Sequence, residues 1–108
     1  MVLQQLNEKR FLKMKDTVQE YEFIHEMSKS RYGFSNLGAA ALFDFLSELE
    51  TDSGHELEFD PIAISCDFIE YRDFDELKKD YSSIETIDQL INETIVIQFK
   101  DGIIIQAF

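Results

Sequence analysis

Carboxylates dominate the residues of this chain that could do chemistry. Residues 59–76, FDPIAISCDFIEYRDFDE, hold Asp60, Asp67, Glu70, Asp73, Asp75 and Glu76 against a single base, Arg72. A second set, Asp44, Glu48 and Asp52, recurs every four residues with no Lys or Arg between its members. Carboxylates in such numbers can act as acid and base, as ligands for a hard cation, or as a face for a basic partner. The remaining residues discriminate among these uses.

Catalysis finds little support. A glycosidase-type carboxylate pair works in a cleft shaped for sugars and usually lined with Trp, and the chain has no Trp. Ser65 and Cys66 sit among Ile and Phe without a nucleophile elbow, so both are expected as buried packing residues. His25, His55 and Cys66 are scattered and lack zinc-ligand spacing. The segment Asp52-Ser53-Gly54-His55-Glu56 matches a calcium loop only in composition, because alternating Asp/Asn ligands and the bidentate Glu are missing. The glycines at 33, 38, 54 and 102 form no phosphate-binding loop. No catalytic residue, no metal and no cofactor are therefore expected.

Composition bounds the rest. At 108 residues, with hydrophobic residues at 44%, the chain has material for one core, and residues 1–108 are expected to form a single domain, with 1–15 as a peripheral helix. One Cys excludes an intramolecular disulfide, which fits a reducing compartment. No apolar run approaches the roughly 20 residues that span a bilayer, and no signal-peptide h-region is present; a soluble cytoplasmic protein is expected. The net charge is −12, and it is uneven. Residues 1–33 carry five acids and six bases, a net of +1, whereas residues 34–108 carry seventeen acids and four bases, a net of −13. Nucleic acids and anionic lipids are held by Lys and Arg, so the acidic part is expected to bind neither. Its field favours a basic partner.

The elements that position these residues follow from periodicity and caps. Val2, Leu3, Leu6, Phe11, Leu12 and Met14 mark a first amphipathic helical piece. Thr17 with Glu20 forms a capping-box pattern that opens a second through Tyr21, Ile24 and Met27. Ser35 is a good N-cap for a third helix, which runs to about Thr51 and stops at Asp52-Ser53-Gly54. Leu42, Phe45, Leu46 and Leu49 form its core face, with Asp44, Glu48 and Asp52 on another side. Pro61 to Phe68 alternates like a strand, continuing to about residue 70, with Ile62, Ile64, Cys66 and Phe68 on one face. Asp73 with Glu76 and Thr86 with Gln89 are boxes that open two short helices. Residues 94–99 and 103–108 read as a hairpin around Asp101-Gly102, which would place Phe99 opposite Ile104 and Ile97 opposite Gln106. This hairpin is apolar on both faces and so is expected to be covered on both. The fold class is α+β: a helical N-terminal half, then a small three-stranded, mainly antiparallel sheet with short intervening helices.

The run FSNLGAAALFDFLSELETDSGHELEFDPIAISCDFIEY, with the closing TIVIQF and GIIIQAF segments, resembles a family of small acidic proteins encoded by phages, prophages and other mobile elements. The likeness covers roughly residues 20–108, and DPIAI-x-C and IIIQ-x-F are its most specific parts. It implies a mobile-element gene expressed in a bacterial cytoplasm, and it carries no activity and no functional residues. Small acidic proteins in that setting often occupy the nucleic-acid groove of host defence enzymes, as anti-restriction and anti-CRISPR proteins do.

Together these features point to a non-catalytic nucleic-acid mimic that binds a basic host protein, itself a nucleic-acid-binding enzyme. Asp44, Glu48 and Asp52 would form one row of carboxylates, and Asp67, Glu70, Asp73, Asp75 and Glu76 a second. Carboxylates one helical turn or two strand positions apart are spaced much like consecutive phosphates. The alternative is a protein–protein interaction domain that pairs with itself, as a homodimer, or with another protein, its acidity serving only solubility.

Overall fold

A computed structural model describes residues 18–108. Five helices are present there: α1 (Glu20–Met27), α2 (Asn36–Ser53), α3 (Pro61–Asp67), α4 (Phe74–Asp80) and α5 (Ile87–Glu93). Three strands, β1 (Phe68–Tyr71), β2 (Val96–Phe99) and β3 (Gly102–Gln106), form an antiparallel sheet in the order β1-β3-β2. The α+β class is as expected. The first amphipathic piece, the peripheral helix over 1–15 and Thr17 lie outside the described residues.

Most helix starts are written locally. Ser35 Oγ accepts the Gly38 N–H at 2.9 Å at the head of α2, and Gly54, left-handed at φ 73°, closes it. Asp73 Oδ1 accepts the Glu76 N–H at 2.9 Å, while Glu76 Oε1 accepts the Arg72 N–H at 2.6 Å. Thr86 Oγ1 and Gln89 Oε1 make the same reciprocal pair with the Gln89 and Glu85 N–H groups. Each N-cap side chain satisfies an N–H group that the first turn leaves orphaned, worth about 1 kcal/mol apiece. The α1 start differs from the one read off Thr17: Gln19 is the N-cap, and its N–H donates to Glu22 Oε1 at 3.1 Å.

The strand expected from Pro61 is largely a helix. Asp60 Oδ1 accepts the Ala63 N–H at 3.2 Å, and Pro61 occupies the first helical position, where its fixed φ is preorganised and its missing N–H costs nothing. Only Phe68–Tyr71 is extended. Ile62 and Cys66 therefore do not join Ile64 and Phe68 on a buried face: Ile62 is 66% exposed, and the Cys66 thiol is exposed too. Ile64 and Phe68, four apart, are buried instead. Ser65 is half-buried and donates to the Ile62 carbonyl at 2.8 Å. Alternating β-branched residues gave a strand-like pattern that the Asp-Pro cap overrode.

The hairpin also turns one step earlier than expected. Phe99 pairs with Gly102, Ile97 with Ile104 and Val96 with Ile105, so Lys100-Asp101 is the two-residue loop. Because partners shift by two, every side chain keeps its face. Gly102 is needed for closeness: a Cβ there would lie 2.7 Å from Phe99 Cζ and 2.8 Å from the Tyr71 carbonyl oxygen. A side chain there would have to push aside the Phe99 ring and the Tyr71 backbone.

The sheet is covered on both sides, as the doubly apolar hairpin demanded. Phe68 and Ile104, with Ile95, Ile97 and Phe99, pack with residues of α1, α2 and α3 that include Phe23, Met27, Ala39, Leu42, Leu46 and Ile64. Tyr71, Ile103 and Ile105 pack on the other side with Leu77, Ile84 and Leu90 from α4, α5 and the link between them. Each fully buried Leu, Ile or Phe contributes about 1.5–3 kcal/mol. On α2 the buried face is Ala39, Leu42, Phe43 and Leu46, with Phe45 half-buried, whereas Leu49, expected inside, is 41% exposed.

Candidate functional site

Along α2, Asp44, Glu48 and Asp52 are exposed. They rise about 6 Å per step along the axis. Among the described residues, ion pairs join Lys29 to Glu26 at 2.9 Å and Arg72 to Asp73 at 3.9 Å, and none involves these three. At Glu26 the bond from the Lys29 ammonium holds the carboxyl below the usual carboxylate range.

The fold brings a fourth carboxylate to this row. α1 packs along α2 through Phe23, whose ring centroid is 5.4 Å from that of Phe43. This contact sets the start of α1 beside the middle of α2. An open cleft of about 500 Å³ results, lined by Gln19 and Glu20 from α1 and by Phe43, Asp44, Ser47 and Glu48 from α2. Asp44, Ser47 and Glu48 share one helical face because they stand three and four residues apart. No basic group lines the cleft among the described residues.

Ser47 is the unusual member. It is only 5% exposed, and its Oγ has no hydrogen-bond partner among the described residues. A buried hydroxyl left unbonded costs about 1–3 kcal/mol, and such groups are rare in native proteins. A carboxylate-walled cleft with an unsatisfied hydroxyl and an aromatic ring can hold a cation that brings several N–H donors.

The second group of carboxylates serves mixed purposes. Asp67 and Asp75 are exposed. Asp73 and Glu76 cap α4, as described, and Glu70 is tied to α2. Its Oε1 accepts the Ser35 N–H at 3.0 Å, so the carboxylate sits at the positive end of the helix dipole. Gly38 makes room for it, since a Cβ there would collide with the Glu70 carboxylate. Ser35 marks the end of α2 from which the acidic row runs away. By helical rise Asp44 is roughly 13 Å from Ser35 along the axis, and Asp52 roughly 25 Å. The structure thus assembles Asp44 and Glu48 with Glu20, and sets Glu70 at the opposite end of α2 from Asp52.

Sequence reasoning did not single out Gln19, Glu20 or Ser47 for a site. Ser47 carried a signal, since it lies on the helical face shared by Asp44 and Glu48; Gln19 and Glu20 carried none, because only tertiary packing brings α1 to them. Among the described residues no three His, Cys, Asp or Glu side chains converge as metal ligands, and no helix is long and apolar enough to cross a membrane. No family model, curated protein or solved structure matches the chain.

Proposed function

We propose that this chain is a non-catalytic acidic protein of mobile-element type that binds a basic host protein in the groove meant for nucleic acid. The observation that carries the proposal is the row Asp44, Glu48 and Asp52 on α2, exposed, one turn apart and without ion pairs among the described residues. Carboxylates at that spacing present negative charge much as successive phosphates do, to receptors lined by Lys and Arg. An 18-residue helix, capped at both ends and packed on the sheet, keeps the row rigid. Asp67 and Asp75 add exposed charge nearby in sequence, while Glu70, Asp73 and Glu76 also serve the scaffold.

The test is competition. A panel of restriction and CRISPR nucleases is mixed with the protein, and DNA binding is measured over a range of salt concentrations. Inhibition that weakens steeply with salt, and that is abolished when Asp44, Glu48 and Asp52 are all changed to Lys, is the expected result. Undiminished DNA binding by every nuclease at low salt, or inhibition unaffected by the triple reversal, refutes the proposal.

A further inference from the structure

We propose that the cleft between α1 and α2 is a receptor for one arginine side chain of a protein partner. This rests on the partner-facing role given above to Asp44 and Glu48, and adds the chemical group that anchors there. Three observations converge on a guanidinium. Carboxylates Glu20, Asp44 and Glu48 wall the cleft from two different helices, with no basic group among the described lining residues. Ser47, itself only 5% exposed, lines the same cleft, and its Oγ has no hydrogen-bond partner among the described residues. Phe43 supplies a ring in the lining.

Arginine matches this set better than lysine. Its planar head offers five N–H donors and no acceptor, so it can bond two carboxylates and the Ser47 hydroxyl at once. It is also more weakly hydrated than an ammonium and stacks on aromatic rings, which suits a cleft that is part acid and part apolar. A lysine ammonium is a compact, strongly hydrated point charge with three donors. In the bound state the Ser47 side chain turns toward the cleft and its Oγ accepts from the guanidinium.

The experiment uses the full chain and three blocked peptides, Gly-Arg-Gly, Gly-Lys-Gly and Gly-citrulline-Gly, followed by amide NMR shifts. Saturable shifts centred on Gln19, Glu20, Phe43, Asp44, Ser47 and Glu48 are expected with the arginine peptide. Binding should be about threefold weaker with lysine and lost with citrulline, which keeps the shape without the charge. Asp44→Asn with Glu48→Gln should weaken binding by about tenfold or more. Ser47→Ala should weaken it about three- to tenfold while raising the thermal midpoint of the free protein, because the unbonded hydroxyl is gone. Ser47→Ala that changes stability but not affinity, equal binding of citrulline, or unsaturable shifts spread over Asp67 and Asp75 overturns the proposal. Nuclease inhibition without peptide binding would overturn only this inference. Peptide binding without nuclease inhibition would overturn only the groove-occupying function.

Discussion

The Glu70 carboxylate accepts the Ser35 backbone N–H at 3.0 Å, joining an outer strand of the sheet to the head of the longest helix. Glu70 lies on the same sheet face as Ile104, its cross-strand partner, which is otherwise the apolar side packed against α1, α2 and α3. An inward carboxylate on an outer strand discourages edge-to-edge pairing with another chain, and the orphan N–H of α2 keeps it bonded.

Glu70→Ala is expected to lower stability by about 1.5–3 kcal/mol, the value of a hydrogen bond to a charged group, with Glu70→Gln losing less. Gly38→Ala should also destabilise, although Ala is ordinarily better than Gly inside a helix by about 0.5–1 kcal/mol. In the Glu70→Ala background the penalty should shrink, because the colliding carboxylate is gone and Ser35 Oγ, 3.1 Å from the added Cβ, is the close contact left. Urea unfolding of the four species in a double-mutant cycle checks this.

Tyr71 donates its hydroxyl to Asp80 Oδ2 at 2.8 Å. Burial, then the bond to Asp80 and its negative charge, push the phenol above its ordinary 10.0. A pKa raised by folding means that the folded state holds the proton more tightly than the unfolded one. This contribution is complete below pH 10.0 and is lost as pH climbs from there through the folded value. Stability of the native protein should fall more steeply above about pH 10 than that of Tyr71→Phe, while Tyr71→Phe should cost about 1 kcal/mol near neutrality. Denaturant midpoints measured across that range decide it.

Cys66 is exposed on α3. A disulfide reagent should titrate one thiol per chain without denaturant, and Cys66→Ser should change stability by no more than about 0.5 kcal/mol. A thiol that reacts only after unfolding would restore the strand expected there.

The hairpin register predicts cross-strand proton contacts linking Val96 to Ile105 and Gln98 to Ile103. An Asp101-Gly102 loop would instead bring Gln98 to Ile105. Gly102→Ala should cost about 1–3 kcal/mol by overpacking, since a Cβ would press on the Phe99 ring and the Tyr71 carbonyl. Nuclear Overhauser contacts and unfolding curves test the two statements separately.

The α+β class, the caps at Ser35, Asp73 and Thr86, the Gly54 stop and the two-faced hairpin were all determined by the sequence alone. These features depend on residues within a few positions of one another, or on strict alternation, and neither needs a distant partner. The helix at Pro61 was equally local, written in Asp60-Pro61, but it was masked by the alternation of Ile62 and Ile64. Tertiary structure decided the rest. It set Gly102 against Phe99 and the Tyr71 carbonyl and put the loop at Lys100-Asp101. It gave Glu70 to the head of α2 and placed Glu20 beside Asp44, Ser47 and Glu48. A carboxylate is soluble almost anywhere on a surface, so sequence constrains its number far more than its neighbours. Its role depends on which backbone N–H or second helix the packed core brings within reach.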